Sequence, residues 1–378
     1  MPAPPITESQ SRRTPEVSIT RLAVSDHPAF DGHEEVLACR DAASGLKGMI
    51  AIHSTQLGPA LGGCRMWAYA NDDEALNDVL RLSEGMSYKH AVAQTARGGG
   101  KAVIIGDPSH NKTPDLFRAF GRFVNKLGGQ YITAEDVGVS VGDMTIVHEE
   151  TGHVAGLPVE LGGSGDPSPF TAYGVFCGIK AALRFQMGRP ISDSRLLHGV
   201  TVAVQGLGHV GYALCKHLAE SGAKLVVSDV NAECTKRVSD EFRATPVQPE
   251  EILDVNADVF APCAMGAVLT TAAVQRLNAT IVAGAANNQL ACPEVATLLR
   301  DREILYAPDY VINAGGVINI SHEGNGYDVV RAKAHTARIG QRLTRIFARA
   351  SAENRTTANV ADAMARAAFK GKTEELPP

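Results

Sequence analysis

Residues 200–229 read VTVAVQGLGHVGYALCKHLAESGAKLVVSD, and the fold is decided within this stretch. A β-branched run ends at Gly206, Gly208 and Gly211, an amphipathic helical pattern follows, and a second apolar run ends at Asp229. Glycine is needed in such a turn because the backbone must approach a pyrophosphate, whose charge is met by the amides of the helix N-terminus. A carboxylate about 20 residues further on meets the hydroxyls of a ribose. The stretch therefore predicts a Rossmann-type dinucleotide-binding unit.

Asp229 also bears on which dinucleotide binds. A carboxylate there would repel the 2′-phosphate of NADP, and the next two residues, Val230 and Asn231, provide no arginine to counter it. We therefore expect NAD. Two alternatives stay open: the glycines form a turn in some other α/β sheet, or Asp229 only caps the helix that begins near Asn231.

Length, charge and cysteine usage exclude several classes of protein. A chain of 378 residues suits two domains, and a formal charge of −5 without a basic block longer than a pair argues against nucleic-acid and membrane binding. No apolar run approaches a membrane span, and the first residues lack the apolar segment of a signal peptide. We expect a cytoplasmic protein without a metal site, because its cysteines follow no ligand spacing and suit buried, reduced thiols: Cys39, Cys64, Cys177, Cys215, Cys234, Cys263 and Cys292.

The first half of the chain mixes strand and helix signals. Two apolar runs, 35–41 and 46–55, flank the turn-rich AASG and predict an antiparallel hairpin. Helical patterns cover 72–86 and 113–129, the second with Thr113 as cap and Pro114 at the first helical position. Between them GGGKAVIIGDP predicts a strand that leaves a glycine turn.

After the Gly/Ser/Pro-rich passage 162–174, which is typical of a linker, buried β-branched runs alternate with helices. This pattern predicts a parallel sheet, and the Ala/Arg-rich C-terminal stretch predicts helices that cross back to the first domain. The expected organisation is an α/β protein with an N-terminal mixed-sheet substrate domain and a Rossmann-type domain. Its boundaries are a disordered tail (1–17), a first domain (18–165), an NAD-binding domain (166–327) and C-terminal helices packing back (328–378).

Two lysines and an acid of the first half suggest catalysis. A lysine set against an apolar strand and glycine backbone, as Lys101 is, loses hydration and can exchange protons, whereas a second lysine left fully charged can pair with a substrate carboxylate. Glu135 and Asp136 end an apolar run before a glycine and can point into a cleft. Taken singly, each lysine also fits a solvated surface residue, and Asp136 also fits a turn acid.

Nine segments, in one order, carry a resemblance to a known family. They are similar to the amino-acid dehydrogenase superfamily of glutamate, leucine, phenylalanine and valine dehydrogenases, closest to the leucine/phenylalanine/valine branch. The resemblance covers all but the N-terminal tail, through QLGPALGGCRM, GMSYKHAVA, GGGKAVIIGDP, TAEDVG, DPSPFTAYGV, QGLGHVG, APCAMG, AGAANNQL and APDYVINAGGVIN.

The resemblance implies roles for individual residues. Lys89 would hold the substrate carboxylate, helped by a Gly62–Gly63 turn. Lys101, with a depressed pKa, would polarise the keto oxygen and handle the water of hydrolysis, and Asp136 would take and return the proton on the substrate nitrogen. Asn288 would contact both substrate and nicotinamide. The other cofactor-binding residues would be Thr171, Gly206, Gly208, His209, Val210, Gly211, Asp229, Cys263, Ala264, Asn287 and Asn313.

The family's pocket for the substrate side chain maps onto five apolar residues: Leu61, Met86, Ala134, Val317 and Ile320. An apolar pocket disfavours a charged side chain, and Ala134 with the VINAGGVIN run resembles the leucine type. The segment SHEGNGYD departs from that type, so an aromatic substrate such as phenylalanine stays an alternative. Plain core packing is the other interpretation of each residue.

The resemblance implies reversible NAD-dependent oxidative deamination of an L-amino acid to the 2-oxo acid and ammonium, most simply a branched-chain aliphatic one, in a homo-oligomer between dimer and octamer. A non-catalytic NAD sensor would have lost part of the lysine and acid set. A 2-hydroxy-acid dehydrogenase would use a histidine base, and none of the twelve histidines lies in a segment that suggests this role.

Overall fold

The computed structural model describes residues 17–188, 195–264, 266–324 and 326–369. The predicted tail lies outside this part of the chain except for Val17, which is buried. Residues 370–378 of the predicted C-terminal helices also lie outside it. Within the described ranges, no helix combines the length and the apolar character needed to cross a bilayer. The chain forms two α/β halves, each built on a six-stranded sheet.

The first sheet is mixed, as predicted. The hairpin of 35–41 and 46–54 is antiparallel, with Glu35 opposite Ile52, and the last two strands of the sheet run parallel to their neighbour. The strands are β1 (Ser18–Arg21), β2 (Glu35–Asp41), β3 (Leu46–Ser54), β4 (Ala60–Trp67), β5 (Gly98–Ile105) and β6 (Tyr131–Ala134). Their order in the sheet is β1-β2-β3-β5-β4-β6.

Helices cover both faces of this sheet: α1 (Asp72–Ala93), α2 (Pro114–Lys126) and α3 (Val141–His148). The predicted start of α2 is confirmed, because the Thr113 hydroxyl accepts a hydrogen bond from the Leu116 amide. The phenylalanines of α2 pack on one face, and Val79 and Leu80 of α1 pack on the other. Helix α1 continues seven residues beyond the predicted stretch, so Lys89 is helical.

The expected glycine turns are wrong in both places. Gly98, Gly99 and Gly100 are the first residues of β5, and Gly62 and Gly63 lie inside β4. These glycines allow close packing of neighbouring backbone, since a Cβ on Gly62 would overlap the Gly100 carbonyl oxygen.

The second sheet is wholly parallel, with the order β12-β11-β10-β7-β8-β9. Counted within this half the order is 6-5-4-1-2-3, the Rossmann arrangement with its switch point after the first strand. The predicted parallel sheet is confirmed. Its strands are β7 (Thr201–Gln205), β8 (Lys224–Ser228), β9 (Thr245–Pro246), β10 (Ala257–Pro262), β11 (Ala279–Val282) and β12 (Leu305–Tyr306).

The linker expectation for 162–174 is wrong from residue 168 onward, because α4 (Ser168–Met187) begins there with a proline in its first turn. The helices of the cofactor half are α5 (His209–Glu220), α6 (Ala232–Phe242), α7 (Thr271–Arg276), α8 (Glu294–Asp301), α9 (Asp309–Ile312) and α10 (Gly315–Ser321). The chain ends in α11 (Val329–Ala337), α12 (Ile339–Glu353) and α13 (Thr357–Phe369). Helix α13 crosses back to the first half, where the rings of Phe369 and Tyr88 meet at 5.4 Å.

Candidate active site

The glycines of β5 bring helix α1 onto the sheet. A Cβ on Gly99 would overlap the backbone nitrogen of Ser87, so only glycine permits this approach. Lys101 lies two residues after Gly99 and Lys89 lies two residues after Ser87. The close contact therefore places the two lysines at the same edge of the first half.

Lys101, Arg65 and Asp136 come from three neighbouring strands or strand ends of the first sheet. The buried amine of Lys101 forms an ion pair with the Asp136 carboxylate, and Arg65 Nε lies 3.5 Å from the same carboxylate oxygen. Burial opposes ionisation of Asp136, but the charges of Lys101 and Arg65 outweigh it and hold the pKa of Asp136 below its usual value. Asp136 is therefore a carboxylate at neutral pH.

Arg65 is a site residue that the sequence interpretation missed. Its guanidinium also donates to Asp78 on α1 at 3.0 Å, and the Tyr69 hydroxyl donates to that same carboxylate at 2.7 Å. The available signal was a lone charge in the otherwise apolar and glycine-rich strand GGCRM. Asp78 and Tyr69 thus hold Arg65 in place beside Asp136.

Lys89 lies half-buried between the two halves, and its amine donates to the Asn287 side-chain oxygen at 3.3 Å. Burial lowers the pKa of Lys89 to about 8, with Asp309 opposing this shift and the charge of Lys101 adding to it. The lowered pKa that the resemblance implied for Lys101 stays a prediction. The same holds for the expected role of Lys101 in proton exchange.

The neighbouring His90 fixes the end of α1. Its ring nitrogens contact the Thr95 hydroxyl at 2.8 Å and the Leu61 carbonyl oxygen at 3.1 Å. Burial lowers the pKa of His90 to about 3, so the ring is neutral. His90 therefore ties Lys89 to β4 without adding a charge.

Asn287 and Asn313 continue the contact into the cofactor half. Asn313 Nδ2 donates to Asn287 Oδ1 at 2.7 Å and to the Ala285 carbonyl oxygen at 3.1 Å. The Asn313 side-chain oxygen is buried and has no hydrogen-bond partner among the residues that the structure describes. A chain of polar contacts thus runs from Lys89 of the first half into the cofactor half and ends at a buried acceptor without a hydrogen-bond partner among the described residues.

Two further predicted residues lie near this chain. Asn288 adopts a left-handed backbone, φ 50°, and its carbonyl oxygen accepts from the Ala267 amide at 2.6 Å. The Thr171 hydroxyl donates to the Pro167 carbonyl oxygen in the first turn of α4, and a Cβ on Gly316 would lie 2.9 Å from that hydroxyl. Their contacts with cofactor and substrate stay predictions.

The glycine-rich turn fits a dinucleotide. Gly206 has φ +91°, and a Cβ there would lie 2.6 Å from the Ala264 Cβ, whereas a Cβ on Gly211 would overlap the Gly206 carbonyl oxygen. A Cβ on Gly208 would meet nothing within 4 Å in the described part of the chain. The turn is therefore packed on its inner side and open on its outer side, where His209 and Val210 start α5.

Asp229 lies at the end of β8 and lines a cavity of about 380 Å³ together with Gly206 and Ala264. Its two oxygens accept from the Leu207 amide at 2.6 Å and the Asn231 amide at 2.8 Å. The alternative that Asp229 caps the next helix is wrong, because the Asn231 side chain caps α6. Each Asp229 oxygen keeps a second lone pair for a ribose hydroxyl.

The Cys263 backbone amide donates to the Gln205 carbonyl oxygen at 2.7 Å, which places residues 263 and 264 beside the glycine turn. Burial raises the pKa of the Cys263 thiol to about 12, so the thiol is no nucleophile. Of the other cysteines, three are buried, two are half-buried and Cys292 is exposed, which departs from the expectation of mostly buried thiols.

Four of the five predicted pocket residues form one apolar cluster. Leu61 and Ala134 are buried in it, and Met86 and Ile320 pack against them. Ala155 and Ile132 belong to the same cluster and were missed. Neither residue matches a position that the family resemblance assigned to the pocket. Val317 packs instead against the core of the cofactor half, one turn before Ile320 on α10, and its pocket role stays a prediction.

Comparison with known proteins agrees with this arrangement. Residues 33–153 match the family model "Glu/Leu/Phe/Val dehydrogenase, dimerisation domain", and residues 231–373 match "Glutamate/Leucine/Phenylalanine/Valine dehydrogenase". A leucine dehydrogenase of Geobacillus stearothermophilus is 51% identical over 88% of this chain and 89% of its own. A valine dehydrogenase of Streptomyces virginiae is 49% identical over 90% of this chain and 93% of its own.

Among solved structures, the L-tryptophan dehydrogenase of Nostoc punctiforme superposes with a TM-score of 0.80 at 43% identity. The match covers 91% of this chain and 97% of that one. Both family models together match more than half of the chain, and their order follows the two halves of the fold. The chain belongs to the Glu/Leu/Phe/Val dehydrogenase family.

Proposed function

We propose that this chain is an NAD-dependent oxidoreductase that reversibly deaminates a branched-chain aliphatic L-amino acid to its 2-oxo acid and ammonium. One observation carries the proposal. Lys89, Lys101 and Asp136 lie near the contact between the two halves, beside an apolar cluster on one side and the Asn287–Asn313 contact on the other. The leucine and valine dehydrogenases at 51% and 49% identity support the same reaction.

Lys89 binds the substrate carboxylate in this proposal. Its amine now donates to a neutral amide oxygen, and a carboxylate in that place would be a stronger partner for the ammonium. An opposite charge also favours the protonated form of Lys89. Substrate binding and protonation of Lys89 would therefore support each other.

Lys101 and Asp136 move protons at the α-carbon end of the substrate. Asp136 takes a proton from the substrate nitrogen, which leaves the free amine from which hydride transfer can proceed. Lys101 holds the oxygen of the attacking water and later of the 2-oxo acid, and its ion pair with Asp136 lets a proton pass between them. Closure of the cleft would exclude bulk water during these steps.

NAD, when bound, supplies the acceptor for the hydride that leaves the α-carbon. The residues that would hold it are the glycine turn 206–211, Asp229 at the adenosine ribose, residues 263 and 264 beside the turn, and Thr171, Asn287, Asn288 and Asn313 at the nicotinamide end. The orphaned Asn313 oxygen and the open side of Gly208 fit this assignment.

An aliphatic substrate is favoured because the cluster of Leu61, Met86, Ala134 and Ile320 presents no charge. One observation favours an aromatic substrate instead: the chain is 43% identical to a protein named as a tryptophan dehydrogenase. A single methylene changes the discrimination between two substrates in such a pocket by only about 1 to 3 kcal/mol. The choice between an aliphatic and an aromatic substrate is therefore made by measurement.

We also propose a cytoplasmic homo-oligomer assembled through the first half, which is supported by the family model named as a dimerisation domain. The proposed boundaries are a substrate domain of 18–165 and an NAD-binding domain of 166–327, with 328–378 packing back. The start of α4 at Ser168 and the contact of Phe369 with Tyr88 support these boundaries.

The test is NADH formation from L-leucine, L-valine, L-isoleucine, L-phenylalanine, L-tryptophan and L-glutamate, with ammonium dependence measured in the reverse direction. We expect an aliphatic amino acid to give the highest kcat/KM, and Lys101→Ala to abolish turnover while the exposed-site control Lys236→Ala leaves it unchanged. A clear lead for an aromatic substrate would overturn the substrate assignment. No NADH from any amino acid, or full turnover by Lys101→Ala, would overturn the reaction itself.

A further inference from the structure

A carboxylate outside the catalytic cluster ties the two halves together next to the substrate pocket. Glu323 follows α10 and accepts hydrogen bonds from the Gly156 amide at 2.8 Å and the Ser164 amide at 2.8 Å. The Ser164 hydroxyl donates to the same oxygen as the Ser164 amide. All three donors belong to the segment that leads from the first sheet to α4.

Both ends of this tie are joined to walls of the apolar cluster. Gly156 directly follows Ala155, which is buried against Leu61 and Ala134. On the other side the Glu323 amide donates to the Ile320 carbonyl oxygen at 3.2 Å. Bonds from Glu323 therefore set how far Ile320 stands from Ala155.

The Ala155 wall is itself fixed to the first sheet. The Ala155 amide donates to the Thr133 carbonyl oxygen at 2.8 Å, and the Thr133 amide donates to the His153 carbonyl oxygen at 3.0 Å. The Ile320 wall belongs to α10, whose Gly315 and Gly316 pack directly against the start of α4. The hydrogen bonds of Glu323 thus join two sides of the pocket, each of which is held separately by backbone contacts.

The carboxylate is partly desolvated where it makes this contact. Burial raises the pKa of Glu323, while the bonds from Ser164 and Gly156 oppose that shift. Charge-assisted hydrogen bonds of this kind are roughly twice as strong as those between neutral groups. A half-buried carboxylate that accepts three of them resists displacement of either side of the pocket.

We propose that Glu323 is a positioning residue that determines side-chain specificity, because it sets the width of the substrate pocket between Ala155 and Ile320. It selects for aliphatic over aromatic amino acids by keeping the pocket narrow. This inference rests on the proposed amino-acid dehydrogenase function and adds to it the residue that limits substrate size.

The test compares Glu323→Gln with Asp328→Asn, a matched carboxylate-to-amide change at a residue that only caps α11. Glutamine offers one accepting oxygen in place of two, so either Gly156 or Ser164 loses its partner. We expect the ratio of kcat/KM for L-phenylalanine to that for L-leucine to rise about tenfold in Glu323→Gln. This is the discrimination that one methylene group typically produces in an apolar pocket. Ser164→Ala should shift the ratio in the same direction by less, and Asp328→Asn should leave it unchanged.

A purely structural role would lower kcat/KM for all amino acids by one common factor, and that result in Glu323→Gln would overturn the inference. Should Glu323→Gln not fold, Ser164→Ala decides, and an unchanged ratio there would overturn it as well. Failure of the wild-type chain to oxidise any amino acid is a separate outcome, which removes the proposed function and this inference with it.

Discussion

At the scale of single residues, the cleft contains two lysines in different electrostatic surroundings. Lys101 faces the Asp136 carboxylate directly, whereas the nearest polar contact of Lys89 is the neutral amide oxygen of Asn287. At Lys89, burial lowers the pKa of the amine to about 8, and the charge of Asp309 only partly opposes this shift. The sequence pointed to a poorly hydrated side chain at Lys101, and its burial is confirmed. The ion pair with Asp136 was missed, because it joins residues 35 positions apart.

The first prediction concerns the alkaline limb of the pH profile. The pKa of Lys89 is lowered to about 8, so the substrate-free enzyme loses the ammonium that binds the carboxylate as the pH rises through that value. We expect kcat/KM for the amino acid to fall there. Lys89→Arg should lower kcat/KM overall but move this limb to higher pH, because a guanidinium stays charged. An alkaline limb at the same pH in Lys89→Arg would contradict the assignment.

The second prediction concerns the acid limb. Arg65 helps to hold the pKa of Asp136 below its usual value, so removing the guanidinium should raise that pKa. In Arg65→Met we expect the acid limb of kcat/KM to move to higher pH, since Asp136 is then protonated at a pH where the wild type is ionised. Arg81→Met, at an exposed position of α1, is the control and should leave the limb in place. Equal shifts in both variants would argue against a specific role of Arg65.

At the scale of elements, the sequence predicted those helix ends that depend on residues close together in the chain. The Thr113–Pro114 start of α2 was predicted because both residues act within one turn. The last two turns of α1 were missed, since MSYKHAVA is buried on several sides and lacks a clean amphipathic pattern. The start of α4 was missed because serine and proline, which here form its first turn, are also typical of linkers. Long-range contacts such as Arg65 with Asp136 leave no local pattern at all.

The third prediction tests the packing of α1 on β5. In Gly99→Ala the new methyl would overlap the Ser87 backbone, so helix and strand must move apart. We expect a loss of about 1 to 3 kcal/mol in the free energy of unfolding, typical of an overpacked core, together with a lower kcat because Lys89 and Lys101 separate. Urea unfolding and steady-state kinetics measure the two effects.

Gly85→Ala is the matched control, because a Cβ at Gly85 of α1 meets nothing within 4 Å in the described part of the chain. This substitution should stabilise the helix by up to about 1 kcal/mol and leave kcat unchanged. A similar loss of stability in both variants would show that the loss in Gly99→Ala does not come from the close contact of Gly99 with Ser87.

At the scale of the whole molecule, helix α13 joins the two halves. Its Asp362 accepts a hydrogen bond from the Tyr310 hydroxyl of the cofactor half at 2.8 Å. Its Phe369 packs on Tyr88 of the first half, whose ring in turn meets Tyr310 edge-on at 6.2 Å. The crossing helices were predicted from composition, but these partners were not, because they come from three distant parts of the chain.

The fourth prediction concerns this junction. Burial raises the pKa of Asp362 and the Tyr310 hydroxyl opposes that shift, so Tyr310→Phe leaves a half-buried carboxylate without this donor. We expect a loss of about 1 to 3 kcal/mol at neutral pH. The loss should shrink as the pH falls through the raised folded-state pKa of Asp362, because the protonated carboxyl is less destabilised by burial, and the change should be complete below the unfolded-state pKa. Urea unfolding at neutral and acidic pH measures this trend.

Tyr212→Phe is the control for that experiment, since the Tyr212 hydroxyl also donates to a carboxylate but at an exposed position. It should change stability little at either pH. A loss in Tyr310→Phe that does not depend on pH would indicate that only packing, and not the buried charge, is at stake.

The bonds of Glu323 to Gly156 and Ser164 have a consequence for building hybrid enzymes from two family members. A crossover placed just before α4, where the two halves are most simply divided, takes Glu323 from one parent and both of its donors from the other. A crossover placed before Gly156 inherits carboxylate and donors from a single parent. Recombinants of the second kind should keep the substrate range of the parent that provides their C-terminal part more faithfully than recombinants of the first kind.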